Sequence, residues 1–231
     1  MFPKRLITIP ELARIPFLYH GFGNAHWKEA DFAKRKDWKG FKFLFLDQIH
    51  SDVVYFIHKA PEKNLRGDAL VTDLPCLFLV IKTADCLPIL LVDEANRVVA
   101  AVHCGWKGTL QRVLEKVVLG MKGHYGSDPR ALRAAFGPCI GGGCYEVGED
   151  VHGSFAAAGF PDSFFRPASG RRGKHLLDLR KANRIQLLGL GVREENIFVV
   201  DICTHCAKNY LSFRRDKNKT GRMLSFIGMS P

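Results

Sequence analysis

Short runs of β-branched and aromatic residues recur along most of the chain, at 41–46, 53–57, 69–72, 76–82, 89–92, 98–103, 134–136 and 197–200, and each reads as a strand. A different period governs 109–122, where Leu110, Val113, Leu114, Val117 and Val118 recur at helical spacing and form one apolar stripe. The same spacing predicts a helix over 179–188, with Leu179, Ala182, Ile185 and either Leu187 or Leu188 inward, and a third over 149–158. Strands cluster, helices stand apart, and strict strand–helix alternation is missing. That pattern predicts an α+β chain in which sheets pack on each other and helices cover the outside, rather than a doubly wound parallel sheet.

The longest uninterrupted apolar stretches, 76–81 and 87–92, have six residues each, far below the ~20 of a membrane-spanning helix. The amino-terminal MFPKRLITIPELARIPF lacks an apolar stretch of signal-peptide length. A cytoplasmic protein without a membrane partner is expected. With 231 residues, 47% of them hydrophobic, and no repeat or Pro/Gly/Ser-rich linker, the chain is expected to form one domain over 1–231. The net charge of +11 does not by itself indicate nucleic acid, because the cations are spread along the chain and no nucleic-acid motif accompanies them. A field that attracts an anionic substrate such as phosphate accounts for it, as does a basic solvated surface. Seven cysteines, an odd number in a chain this long, are read as reduced thiols.

The chemistry concentrates in DQIHSD, KTADCLP and AVHCGWKG, where His50, Cys86 and His103 each stand at or beside an end of an apolar run. Two imidazoles and a thiolate suit a divalent metal, and three protein ligands leave the fourth position open, as in catalytic zinc sites. The separations of 36 and 17 residues match no compact zinc signature, so the case rests on three such residues beside polar or glycine-rich neighbours. Asp85 could orient a ligand, take a proton, or simply form the turn. Gln48 would touch substrate or support the metal if its strand continues. Lys107 and the Arg214–Arg215 pair are the cations suited to phosphate or ribose oxygens. Gly137–Pro138 and Gly141–Gly143 read as an anion nest or a tight connection. Cys203-Thr204-His205-Cys206 is a competing ligand source, although a Cys-x-x-Cys is usually half of a structural site and no second pair is present.

The segments DQIHSDVV, GDALVTD, TADCLPILLVD, VAAVHCGWKGTL, AFGPCIGGGCYEVGEDV, LDLRKAN and CTHCAKNYLSFRRDKNKTGRM together resemble the bacterial family long labelled polyphenol oxidase or laccase domain and reinterpreted as purine nucleoside phosphorylase. The resemblance runs from about residue 18 to the carboxyl end. It implies a four-layer α/β/β/α sandwich with mixed sheets, and a zinc ion held by His50, Cys86 and His103. It also implies purine nucleosides and phosphate as substrates, with adenosine, inosine and methylthioadenosine cleaved and adenosine deaminated as a side activity. The chain departs from the family near its amino end, where GFGNAHWKEADFAKRK replaces a Thr-Arg-x-Gly-Gly segment and the helix after it. That leaves Arg35 as the nearest stand-in for the family's substrate arginine.

Two other classes are weighed. The older label implies a copper phenol oxidase, but the chain has no His-x-His pair of the kind multicopper sites use. A cysteine hydrolase would use Cys86 or Cys104 with His103 as base. The oligomeric state stays open.

Overall fold

The computed structural model describes residues 6–59, 61, 65–217 and 221–231. In strand Leu77–Thr83, Leu77, Leu79 and Ile81 pack to one side while Phe78 and Val80 pack to the other, as the two-residue period of a strand requires. Val98–Cys104 divides in the same way: Val99 and Ala101 meet Leu79 and Ile81, whereas Ala100 and Val102 face the helix Val113–Tyr125. Strands that are apolar on both faces belong in the middle of a layered stack. Here they are central members of two six-stranded sheets packed face to face.

The first sheet runs in the order Leu6–Ile7, Leu18–Gly23, Met223–Met229, Leu77–Thr83, Lys42–Asp47, Leu65–Arg66. Lys42–Asp47 is parallel to Leu77–Thr83, and Met223–Met229 is antiparallel to both of its neighbours. The second sheet runs Ile197–Val199, Arg133–Phe136, Leu87–Asp93, Val98–Cys104, Ala69–Thr72, Val54–Ile57, with parallel pairs at its two edges and an antiparallel hairpin in the middle. Helices Val113–Tyr125, Glu149–Ala157 and Leu179–Gly189 cover the second sheet. The outer face of the first is covered by Trp27, the short helix Glu29–Ala33 and the turn Lys36–Trp38, so that Trp27, Phe32 and Trp38 lie over Phe78 and Phe226. Four layers result, as expected.

All eight expected strands form, with ends shifted by at most two residues. Two features differ from expectation, and one open alternative is decided. The helix expected over 109–122 is broken: Trp106–Leu110 ends, Arg112 takes a left-handed φ of 61°, and a new helix starts at Val113. A left-handed residue cannot continue a right-handed helix, yet the apolar stripe from Val113 onward keeps its period and is buried. Leu188 is 39% exposed, and Leu187 is the inward residue of the alternative pair. Strands Leu18–Gly23 and Met223–Met229, and the small sheet of Glu146–Gly148, Lys174–Leu177 and Phe165–Pro167, had no sequence signal. Glycines interrupt the first two for a packing reason: a Cβ at Gly228 would lie 2.6 Å from a Phe78 ring carbon, and one at Gly23 would lie 2.8 Å from Trp27.

His20, on the buried strand Leu18–Gly23, accepts the backbone N–H of Ile9 at Nε2, 2.8 Å away. That bond needs an unprotonated Nε2, and burial holds the imidazole at about 4 against an ordinary 6.5. The unfolded chain therefore binds the proton first as pH falls, so stability present above pH 6.5 is lost between 6.5 and 4. The loss is about 3 kcal/mol. Urea unfolding at pH 7 and pH 4 should show that difference for the native chain and a much smaller one for His20→Gln; equal slopes in both would exclude His20 as the source.

Candidate metal centre

Two turns and the end of a strand bring the candidate ligands together. His50 follows strand Lys42–Asp47 in a left-handed conformation, φ 58°, and Cys86 lies in the turn that carries the chain from the first sheet to the second. His103 is the penultimate residue of Val98–Cys104, opposite Pro88. One ligand atom from each of the three lies within 4.8 Å of the others, with His50 Nε2 4.0 Å from Cys86 Sγ and the two imidazoles edge to face. A tetrahedral cation with bonds of ~2.0 Å to nitrogen and ~2.3 Å to sulfur brings its ligands to separations of this order. Gly105 makes room for the group, since a Cβ there would stand 3.1 Å from Cys86 Sγ and 3.2 Å from a His50 ring carbon.

Asp68 organises this group, and sequence reasoning did not single it out. Its carboxylate is fully buried and accepts from His103 Nδ1 (2.7 Å), the His50 N–H (3.0 Å), the Ser51 N–H (2.6 Å) and the Ser51 hydroxyl (2.7 Å). Burial alone would raise its pKa, but the His103 and Ser51 hydrogen bonds prevail and hold it at about 2. A carboxylate on Nδ1 leaves Nε2 of His103 for the metal, the arrangement that supports most metal-binding histidines. The available signal was the GDALVTD segment, an acidic residue opening a wholly apolar strand.

Burial would also raise the Cys86 thiol, yet the charge and hydrogen bond of His103, then those of His50, bring it to about 6. Burial would lower His103, but the Cys86 thiolate and Asp68 raise it to about 9. The pair thus rests as thiolate and imidazolium, and a cation bound there would replace the His103 proton. Cys104 differs: it is fully buried, and burial first and the Cys86 thiolate second push its thiol well up. It is an inert core residue, not a candidate nucleophile.

The three ligands open onto a cavity of ≈ 770 Å³ also lined by Gln48, Trp106, Tyr145, Phe213, Arg214 and Arg222, a size suited to a small-molecule site. Gln48 is there, but its amide spans to the backbone of Lys82, donating to the carbonyl at 2.9 Å and accepting the N–H at 2.7 Å. Asp85 also lines the cavity with φ 86°, and its carboxylate accepts from Thr204 Oγ1 (2.6 Å), Ser212 Oγ (3.0 Å) and the Arg214 N–H (2.7 Å). It is a strut between loops. Arg214 reaches the cavity with its guanidinium 5.3 Å from the Tyr145 ring.

Three expected cations are elsewhere. Arg215 commits its guanidinium to the carbonyls of Thr204, His205 and Tyr210 and to Asp216, which corrects its expected phosphate role. Lys107 is exposed, 5.7 Å from the Trp106 ring, and Arg35 lies 4.7 Å from the Trp38 ring; neither lines the cavity. The Gly141–Gly143 run forms a tight connection, with the Gly141 carbonyl accepting from Cys144 and Tyr145.

A family model described as multi-copper polyphenol oxidoreductase laccase matches residues 28–230. The chain belongs to this family. Relatives within reach carry another name. A protein of Deinococcus radiodurans called purine nucleoside phosphorylase is 42% identical over 81% of this chain and 70% of its own length. Purine nucleoside phosphorylase YlmD of Bacillus subtilis is 32% identical over 89% of this chain and 80% of its own, and the YfiH protein of Escherichia coli, also called purine nucleoside phosphorylase, is 37% identical over 80% and 73%. The fold is shared with the crystal structures of a YfiH protein of Bacillus licheniformis (TM-score 0.89, 28% identity, 99% of this chain and 98% of the other) and of YlmD from Geobacillus stearothermophilus (TM-score 0.87, 25% identity, 99% and 100%).

If Asp68 supports the metal through His103, Asp68→Asn should weaken metal affinity by about 10- to 100-fold while the folded chain persists. Competition against a chromogenic chelator reads this directly, and unchanged affinity would remove Asp68 from the metal's support.

Proposed function

We propose that this chain is a zinc-dependent purine nucleoside phosphorylase that cleaves adenosine, inosine and methylthioadenosine with phosphate and deaminates adenosine as a side activity. One observation carries the reading: the three-ligand set His50, Cys86 and His103 opens onto a cavity that pairs aromatic surfaces with two guanidinium groups. The names of the relatives support it. Seven free thiols suit a cytoplasmic setting, and among the described residues no helix is long and apolar enough to cross a membrane.

The donor set fits zinc, and zinc bound there supplies Lewis acidity at the position the three side chains leave open, whether to water or to a substrate oxygen. Everything else in the reaction falls to the chain's own residues. In phosphorolysis a phosphate oxygen bonds to the anomeric carbon of the sugar while the bond to the purine nitrogen breaks, its electron pair leaving with the base. Arg214 offers a planar guanidinium fork that matches phosphate oxygens, and Arg222, which donates to the Gly221 carbonyl, adds its charge to the cavity lining. Asp85 fixes Arg214 by accepting its backbone N–H, so we give Asp85 a positioning role and not proton transfer. Phe213, 49% exposed at the cavity, and Trp106 present ring faces for the purine. Burial first, and the Cys86 thiolate next, push the Tyr145 phenol up, so it stays protonated and available as a hydrogen-bond donor.

A second reading has its own observation. Cys86, His103 and Asp68 form a nucleophile, base and orienting acid in sequence, the chain of contacts a cysteine hydrolase needs. His50 tells against it, because a hydrolase has no use for a second imidazole converging on the same thiolate.

Copper-free protein carrying zinc at this centre should convert inosine and phosphate to hypoxanthine and ribose 1-phosphate and release inosine from adenosine, with phenol oxidation only after copper is added. Chelation or Cys86→Ala should abolish both nucleoside reactions. Nucleosides left untouched by the zinc protein, alongside fast phenol oxidation by the copper protein, would refute the purine reading; activity gained on chelation would favour the hydrolase. Arg214→Ala should raise the KM for phosphate at least about tenfold, equivalent to ~1.4 kcal/mol, with zinc content unchanged, whereas Lys107→Ala should leave that KM alone. Identical phosphate dependence in Arg214→Ala would exclude that residue from phosphate binding.

A further inference from the structure

A second cluster of ligand-type side chains lies outside the centre already described. Cys144, Cys203 and Cys206 hold their sulfurs within 4.8 Å of one another, with Cys144 Sγ and Cys206 Sγ 3.4 Å apart. A tetrahedral zinc with bonds of ~2.3 Å to sulfur separates its thiolates by ~3.8 Å, so small side-chain adjustments accommodate one ion. Sixty-two residues separate Cys144 from Cys206, so the third ligand of this Cys-x-x-Cys comes from a distant turn.

The backbone is built around the sulfur of Cys203. The Gly141 N–H points at Cys203 Sγ at 3.1 Å, and the amides of His205 and Cys206 act on the same atom. Gly141 permits the approach, because a Cβ there would stand 3.2 Å from Cys203 Sγ. Arg215 completes the frame: its guanidinium binds the carbonyls of Thr204 and His205 and so holds the Cys-x-x-Cys turn. Among the described residues no fourth His, Cys, Asp or Glu joins the group, and Cys206 is exposed. Water would fill the fourth position.

We propose that Cys144, Cys203 and Cys206 form a second zinc site that clasps the turn 141–145 to the turn 203–206. Both turns border the first centre: Tyr145 lines the cavity, and Thr204 donates to Asp85. Binding releases the thiol protons still present and leaves the sulfurs as thiolates, with no change of oxidation state. The inference does not depend on the phosphorylase reading, and its readout is metal content, not turnover.

The test is zinc stoichiometry in protein purified under reducing, oxygen-free conditions, measured by elemental analysis and by native mass spectrometry of the unaltered chain. Two zinc ions per chain are expected for the native protein, one fewer in Cys206→Ser, one fewer in Cys144→Ser, one fewer in Cys86→Ala, and none in Cys86→Ala/Cys206→Ser. Cobalt substitution separates the two sites. The thiolate-to-cobalt absorption per bound ion should be about three times stronger in Cys86→Ala, which keeps three thiolates, than in Cys206→Ser, which keeps one. A single zinc in the native chain that Cys206→Ser and Cys144→Ser leave in place would overturn the proposal, as would a Cys144–Cys206 disulfide in the freshly isolated reduced protein.

Discussion

A fully buried carboxylate, that of Asp68, is the constraint on which the candidate centre depends. A charge removed from water is costly unless it is paired and its lone pairs are filled. Here His103 supplies the pair, and the backbone and hydroxyl of Ser51, with the backbone of His50, supply the rest. Every one of those donors belongs to, or adjoins, a ligand residue. The Asp68 carbonyl also accepts the His103 N–H at 2.8 Å, so the place where the strand ladder ends is the place where the site begins. Removing one partner of a buried pair costs about 3–5 kcal/mol, and that cost keeps the two histidines in register with each other.

Asp85 plays the complementary part on the other side of Cys86. Its left-handed backbone turns the chain out of one sheet and into the next, and its carbonyl accepts from Ile140. Its carboxylate gathers the segments that carry Thr204, Ser212 and Arg214. The two aspartates thus divide the work: one holds the candidate ligands, the other holds the loops that shape the cavity and carry the three clustered cysteines. Cys86 sits between them, next in sequence to one and one imidazole away from the other.

Charge at this site is a matter of placement. The chain carries a net +11, yet Arg215, the cation with the most hydrogen bonds among those expected to bind phosphate, spends its donors on carbonyls and on Asp216. Its neighbour Arg214 reaches the cavity because its own backbone is fixed to Asp85. Adjacent residues of one short helix, Phe213–Asp216, therefore have opposite fates, and composition cannot tell them apart.

Much of this was legible in the residues themselves. Strands apolar on both faces, such as 77–83 and 98–104, have to lie inside a stack, so packed sheets under outer helices followed from the pattern. His50, Cys86 and His103 stood out because each breaks an apolar context at an end of a run, and the structure brings them within 4.8 Å. Other features depended on partners distant in sequence. Met223–Met229 and Leu18–Gly23 did not read as strands because their glycines answer to Phe78 and Trp27, which lie elsewhere in the chain. Asp68 looked like the polar start of a strand until His103 was placed 2.7 Å from it. Cys-x-x-Cys lacked its third sulfur until the fold carried Cys144 across 62 residues. Periodicity records which face of an element is buried, and so reports layers; it holds no record of which residue stands opposite, and the chemistry of this protein resides in those opposing pairs.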